Sequence, residues 1–205
     1  MKIPRVFHRI WLGSKPMPDY ALPFGEGWLQ HHPGWEMKLW TDENLPPLVN
    51  QKEFDEAGDM GRRSDILRYE LLLAFGGVYL DIDMECQKNI EALIADAEAF
   101  AGRESAEALG NAIIGCTSGH PLLRDAVASI PESIRSSARQ HILWDAVGET
   151  GPWFFTQVAQ RHPEVKLLDP WVFYPCHWSQ WEQRHGSFPD AYAVHRWGGT
   201  WCQDA

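Results

Sequence analysis

The sequence lacks most of the features that would place it in a special class. Its four cysteines, Cys86, Cys116, Cys176 and Cys202, form no C-x-x-C pair, which argues against a structural zinc site and predicts reduced thiols. No segment approaches the roughly 20 consecutive apolar residues that a membrane-spanning helix needs. The opening residues, MKIPRVFHRIWLG, contain no apolar leader core, so a cytoplasmic location is expected. Positive charge is scarce: 18 Lys and Arg stand against 28 Asp and Glu, a net charge of −10. That balance predicts no nucleic-acid partner and at most a peripheral association with membranes. Internal repeats and low-complexity linkers are also missing. With 44 % hydrophobic and 22 % charged residues the chain is neither disordered nor fibrous, and 205 residues suit a single domain. What it has in excess is tryptophan: 11 are more than one small core needs.

Periodicity gives a coarse map. Ile3 to Leu12 reads as a strand with Val6, His8, Ile10 and Leu12 on one face, and Gly13 to Pro23 as a loop. A short helix is predicted from Gly25 to His32, ended by Pro33-Gly34, and a second strand from Trp35 to Trp40. Arg62 to Phe75 is the clearest helix, with Gly76-Gly77 as its C-terminal stop. A strand from Val78 to Asp83 follows. Later segments predict further strands around Phe100, Ala112–Gly115, Val165–Leu168 and Ala191–His195, with helices at Ile90–Leu93, Leu122–Ile130 and Trp153–Arg161. Alternating helices and strands favour an α/β domain with helices covering a largely parallel sheet.

The chemistry concentrates between Arg62 and Asp83. Asp65 and Arg68 are three residues apart and share a helix face, with Ser64 adjoining. The plain alternative is that Ser64 or Asp65 caps the helix and that Asp65 only pairs with Arg68. In Val78-Tyr79-Leu80-Asp81-Ile82-Asp83, alternation places Tyr79, Asp81 and Asp83 on one face, the two carboxylates about 6–7 Å apart at a strand end. Such a pair repels itself unless a cation or partner lies between them, and a hard divalent ion prefers these oxygens. Glu85 stands close enough in sequence to join the cluster.

At these residues the chain resembles a known family. R-R-S-D-I-L-R-Y-E-L-L-L-A-F-G-G-V-Y-L-D-I-D is similar to the core of the family 32 glycosyltransferases, the group with a DXD-motif sugar-binding region, related to the core of the glucosylating bacterial toxins. I-P-R-V-F-H-R-I-W-L-G at 3 to 13 and W-E-M-K-L-W-T-D at 35 to 42 resemble the family's first two strands. T-G-P at 150 to 152 and A-V-H-R-W-G-G-T-W at 193 to 201 resemble its closing motifs. The resemblance implies a GT-A fold, a Rossmann-like, mostly parallel sheet flanked by helices, filling 1–205 as one catalytic domain. Residues 1–115 would form the nucleotide-sugar half, and 116–205 the acceptor half and a C-terminal lid.

The resemblance also implies roles. Asp83 would ligate Mn²⁺ or Mg²⁺ directly, Asp81 would touch the ribose or the metal through water, and His195 would be a further metal or diphosphate ligand. Asp65 and Arg68 would hold the hydroxyls of the donor sugar, with Ser64 near the ribose or diphosphate. Trp11, Leu12 and Gly13 would meet the nucleobase, Trp11 by stacking, although Trp11 also suits a strand core. Asn111 and Thr150 are candidates for sugar or acceptor contacts. The implied reaction moves a sugar, with retention of configuration, from a nucleotide-sugar donor (UDP favoured over GDP) to a hydroxyl of a glycan or glycolipid, as in polysaccharide biosynthesis. No carboxylate nucleophile stands out, which fits a front-face displacement in which the departing phosphate takes the acceptor's proton. Trp153, Trp171, Trp178, Trp181, Trp197 and Trp201 are expected to recognise the acceptor, and Trp35 and Trp40 to pack in the core. Two other readings remain at this point. A metal-dependent phosphohydrolase or nucleotidyltransferase would want more carboxylates around two metals. A non-catalytic carbohydrate-binding protein would leave Asp65, Arg68, Asp81 and Asp83 without a purpose.

Overall fold

The architecture is that of a computed structural model, which describes residues 2–140 and 145–199. Trp144, Trp201 and Cys202 therefore lie outside the described residues, as does the end of the 193–201 motif. Six strands form the central sheet. β1 (Val6–Ile10) lies parallel between β2 (Glu36–Trp40) and β3 (Gly77–Leu80). β3 pairs antiparallel with a later strand, Leu109–Cys116, which pairs antiparallel with Ala99–Arg103, and that strand is parallel to an edge strand at Lys166–Leu168. A separate antiparallel ribbon joins β4 (Met84–Cys86) to the strand Ala193–His195. In chain order the four strands after β4 are β5 (Ala99–Arg103), β6 (Leu109–Cys116), β7 (Lys166–Leu168) and β8 (Ala193–His195), and the sheet runs β2-β1-β3-β6-β5-β7. Apart from the reversed β6, the strands share one direction.

Apolar side chains separate by parity onto the two faces. Tyr79 of β3 joins a core with Ile66, Leu67 and Leu72 of one helix and Leu122, Phe154 and Phe155 of others, while Val78 and Leu80 join Phe7, Trp28, Ile113 and Phe173 on the opposite face. The first face is covered by α2 (Gln51–Asp55), α3 (Met60–Phe75), α5 (Pro121–Gln140) and α7 (Pro152–Ala159). The second is covered by α1 (Ala21–His31), α4 (Glu91–Ile94), α8 (Pro170–Phe173) and the ribbon, and α6 (Asp145–Glu149) connects α5 to α7. Trp28, Trp35 and Trp40 are all buried, so the expected core role of the last two holds and Trp28 joins them. No helix of the described residues is long and apolar enough to cross a membrane.

Several boundaries differ from the sequence expectation: β1 is shorter than Ile3–Leu12, α5 runs past Ile130 to Gln140, and three others bear on the site. Helix α1 starts at Ala21, not Gly25, because Pro23 sits in its first turn, where no intrahelical donor is needed. Helix α3 starts at Met60 and is capped by the Asp59 side chain, which accepts from the Arg62 amide at 2.7 Å, so neither Ser64 nor Asp65 is the cap. Strand β3 ends at Leu80, and Asp81-Ile82-Asp83 forms a turn closed by a Met84 amide to Asp81 carbonyl hydrogen bond at 3.1 Å. A backbone turn, not strand alternation, presents the two acids.

Two polar contacts tie β1 to β2 and to the residue before β3. The Trp40 indole donates to His8 Nδ1 at 3.1 Å, so His8 Nε2 carries the proton it gives to the Gly76 carbonyl at 2.9 Å. Burial pushes the His8 imidazole down to about 4, keeping it neutral in this network. Gly77 makes the close approach of β3 to β1 feasible: its φ is +94°, and a Cβ there would lie 2.7 Å from the Val6 carbonyl oxygen. Replacing Gly77 by Ala is expected to cost about 3 kcal/mol, from strain plus a clash with backbone that cannot move aside. Gly34→Ala, at φ +83° with open space around it, should cost only about 1–2 kcal/mol. Urea unfolding of both variants checks the difference, and equal losses would rule out the close β1–β3 approach as the cause.

Candidate functional site

The C-terminal ends of β1 and β3 open into a cleft of about 1940 Å³. Pockets for single small molecules are nearer about 300–1,000 Å³, so this cleft is larger than one such ligand needs. Of the residues singled out in the sequence, the cleft brings together Trp11, Leu12, Gly13, Ser64, Asp65, Arg68, Asp81, Asp83, Asn111 and His195. Thr150 is the exception. It is fully buried behind Asp65, donating its hydroxyl to Asp65 Oδ2 at 2.9 Å, and supports the site without facing the cleft.

One half of the site is built around Arg68. From the second turn of α3, Asp65 is held by Thr150, by Asn111 Nδ2 on Oδ1 at 2.8 Å, and by Arg68 at 3.1 Å. Arg68 also lies 3.3 Å from Asp81, donates to the Asn111 carbonyl at 2.7 Å, and stacks over Tyr79 with 4.5 Å to the ring centroid. Tyr79 in turn donates its hydroxyl to Asp81 Oδ1 at 2.5 Å. Burial raises the Asp65 carboxyl to about 6, against the opposing pull of Arg68 and Thr150. Burial acts to lower the Arg68 guanidinium, but the surrounding Tyr79, Asp81 and Asp65 outweigh it, so Arg68 is permanently charged. The ion pair that the plain alternative proposed is present, but as part of a buried network.

The other half is the Asp81–Asp83–His195 cluster, whose ligand atoms lie within 4.8 Å of one another. His195 arrives through the ribbon: β8 pairs antiparallel with β4, placing His195 opposite Met84, one residue from Asp83. Its Nε2 is 3.2 Å from Asp83 Oδ1 and 3.8 Å from Asp81 Oδ2. Burial works against both charges, but Asp83 raises the imidazole above its ordinary range, and His195 with the Gly198 amide lowers the Asp83 carboxyl. The Gly198 amide donates to Asp83 Oδ2 at 2.6 Å. Two carboxylates and an imidazole facing one point suit a divalent cation such as Mn²⁺ or Mg²⁺. His195 Nδ1 is buried with no hydrogen-bond partner among the described residues, so the ring's polar contacts all lie on the carboxylate side. Glu85 does not join. It is on the outside of the ribbon, where Arg196 Nε donates to it at 2.6 Å.

Trp11 follows the end of β1, outside the core, and donates its indole N–H to the Lys15 carbonyl at 2.8 Å. The Gly13 amide is held by Asp42 Oδ2 at 2.7 Å, with Gly13 at φ +84°. Of the C-terminal tryptophans, Trp153, Trp178 and Trp197 line the cleft, Trp171 and Trp181 are exposed outside it, and Trp201 lies outside the described residues. Trp197, at φ +50°, packs its ring 4.1 Å from that of His195.

Sequence reasoning missed four contributors. Arg9 is buried under the acidic turn, donating to the Ile82 carbonyl and the Ala21 carbonyl at 2.6 Å each. Its only sign was a charged residue inside a strand, between His8 and Ile10. Tyr79 was placed on the correct face but given no role. Glu104 and His177 both line the cleft from loops whose sequences carry no motif.

Known proteins resemble this chain in sequence and in fold. Residues 18–100 match the family described as "Glycosyltransferase sugar-binding region containing DXD motif". The chain is 26 % identical over 206 residues to inositol phosphoceramide mannosyltransferase 3 of Schizosaccharomyces pombe, covering 95 % of this chain and 56 % of that protein. It is 28 % identical to inositol phosphoceramide mannosyltransferase 1 of the same yeast, covering 98 % of this chain and 62 % of that protein. The chain thus spans little more than half the length of these relatives. A solved structure, the PaToxG glycosyltransferase, superposes with a TM-score of 0.61 at 18 % identity over 78 % of this chain and 70 % of that one. The fold is GT-A, as the resemblance implied.

The raised Asp65 carboxyl sets a pH dependence with a defined sign. A group whose value rises from 3.8 to about 6 on folding binds more protons in the folded state across that window, so it costs stability as pH rises through it. Asp65→Asn should therefore gain on the native protein between pH 4 and 6, with the difference flat above. Denaturant unfolding at several pH values measures this, and a pH-independent difference would show that Asp65 is ionised throughout.

Proposed function

We propose that this chain, which carries the DXD-motif sugar-binding region, is a metal-dependent glycosyltransferase that moves a sugar from a nucleotide-sugar donor to a hydroxyl of a glycolipid or glycan. The observation that carries the reading is the convergence of Asp65–Arg68–Asn111 with Asp81–Asp83–His195 in one cleft. The first group suits hydroxyls: Asp65 accepts, while Arg68 and Asn111 supply fixed donors. Asp81, Asp83 and His195 would hold a divalent cation, which supplies charge to offset that developing on the leaving diphosphate. Trp11, beside the mouth of the cleft, offers a flat face to the nucleobase.

The relatives' names contain mannose and inositol phosphoceramide, which favours mannose as the sugar and a glycolipid as the acceptor. UDP is favoured over GDP on the family resemblance. The proposed stereochemistry is retention by front-face displacement: the acceptor hydroxyl attacks on the side from which the diphosphate departs, and a phosphate oxygen takes its proton. The residues of this chain bind and orient both partners, so no separate base is required. Cytoplasmic location remains part of the proposal, as does the division into a donor half at 1–115 and an acceptor half with lid at 116–205.

The test is nucleotide release from a panel of UDP- and GDP-hexoses, with Mn²⁺, Mg²⁺ or a chelator. Release should need metal, and Asp83→Ala should lower it at least about a hundredfold, the scale of losing charge stabilisation on a leaving group. Asp65→Asn should weaken sugar-nucleotide use without weakening binding of the free nucleotide. Sugar binding without turnover would favour the carbohydrate-binding alternative, and phosphoester cleavage without a sugar would favour the phosphohydrolase.

A further inference from the structure

Glu104 follows β5 and is held by its own loop, its amide donating to the Ala108 carbonyl at 2.9 Å. Its side chain is only 10 % exposed, yet it lines the cleft. No Lys or Arg stands within ion-pair distance of it among the described residues. The ionisable group in reach is His177, whose Nε2 is 3.9 Å from Glu104 Oε1, while His195, further off, also acts on the carboxylate's charge. The His177 separation is too long for a hydrogen bond.

The tautomer of His177 is set by its neighbours. The Ser179 amide donates to His177 Nδ1 at 3.3 Å, and the Ser179 hydroxyl lies 2.7 Å from the same nitrogen. With Nδ1 accepting, the proton of a neutral ring is on Nε2, facing Glu104. A donor and an acceptor thus stand 3.9 Å apart across a gap at the cleft wall. An oxygen about 2.8 Å from each closes such a triangle. A hydroxyl fits both ends, since it accepts from His177 and donates to Glu104. Trp178, the next residue, lines the same cleft with 57 % of its surface exposed, an aromatic face suited to the C–H face of a sugar or cyclitol ring.

The charge of Glu104 identifies which substrate comes here. A carboxylate with no Lys or Arg paired to it disfavours a diphosphate beside it even though His195 acts on its charge, which points this wall at an uncharged ligand. Asp65, Arg68 and Asn111 supply a separate set of groups for the donor sugar. We propose that Glu104, His177 and Trp178 form the acceptor subsite, taking a neutral polyhydroxylated ring with one hydroxyl between Glu104 and His177 and the ring on Trp178. The assignment deepens the glycosyltransferase reading and rests on it for the word acceptor, whereas the binding geometry does not depend on turnover.

Two measurements on the full chain separate these layers. In the first, saturation-transfer NMR follows myo-inositol and methyl α-mannopyranoside as probes, without donor or metal. At least one probe should bind, and Glu104→Gln and the surface variant Trp178→Ala should each weaken it about tenfold, the scale of one charged hydrogen bond or one stacking contact. In the second, the ratio of sugar transfer to donor hydrolysis is compared with the same rings as acceptors. The ratio should fall about tenfold in both variants, mainly through the acceptor KM, while Asp65→Asn lowers transfer and hydrolysis together. Binding unchanged in Glu104→Gln and Trp178→Ala, or no binding of either ring, would overturn the subsite. So would a parallel fall of hydrolysis and transfer in Glu104→Gln, which would assign Glu104 to the donor. Ring binding that depends on Glu104 and Trp178 in a protein that releases no nucleotide would support the subsite and reject the glycosyltransferase reading alone.

Discussion

The Arg68 guanidinium is the contact on which the cleft depends. It is buried, and it faces two carboxylates that belong to different elements, Asp65 on α3 and Asp81 in the turn after β3. Remove it, and two acids stand side by side in a region with little water. The outcome would be protonation of one or rearrangement of both. Its further bond to the Asn111 carbonyl adds the neighbouring β6, so one planar group fixes the helix, the turn and the reversed strand in a single register. Lysine could not do this, because its ammonium lacks the fixed planar fork.

Arg9 plays the complementary part from below. Its two terminal nitrogens hold the carbonyls of Ile82 and Ala21, so the peptide between Asp81 and Asp83 is gripped at its middle. Carboxylates on a strand end would point wherever the pleat sent them. On a turn anchored by a buried cation, both acids face the same point as His195. The turn also explains why the cluster closes to within 4.8 Å, tighter than the about 6–7 Å of an extended strand.

These details mark the boundary of what the sequence disclosed. Helix α3, its glycine stop, the parity of Val78, Tyr79 and Leu80, and the role of His195 as neighbour to the acids were all legible, because they follow from local spacing or from a quoted motif. The start of α3 was missed because its cap, Asp59, lies about two turns before the apolar repeat begins at Ile66. The turn at Asp81–Asp83 was missed because Asp-Ile-Asp alternates as a strand does, and only Arg9, far off in sequence, pulls its middle carbonyl down. Thr150 was misread for the same reason: a contact with Asp65 across 85 residues leaves no local pattern, and its direction decides between substrate contact and support. Glu104 and His177 carry no periodicity at all, so only their meeting in space gives them meaning.

The tryptophans divide on physical grounds that composition could not supply. Trp28, Trp35 and Trp40 pay for burial by giving their indole protons to the Met84 carbonyl, Glu91 and His8. Trp197 is committed to His195 and to the Cys176 carbonyl, at a backbone angle unusual for a bulky residue. Trp153 and Trp178 keep exposed faces on the cleft, and only such faces are free to bind. The charges sort the same cleft into zones. Asp65, Asp81 and Asp83 meet Arg68, Arg9 and His195, a set that balances only while the imidazole is protonated. A divalent cation that displaces this proton would leave the set positive overall, the sign that suits an incoming diphosphate. Glu104 adds a further acid on the neighbouring wall, answered by His177 at 3.9 Å and, at longer range, by His195. Under the proposed function, this distribution of charge would give a charged donor and an uncharged acceptor separate places before any chemistry begins.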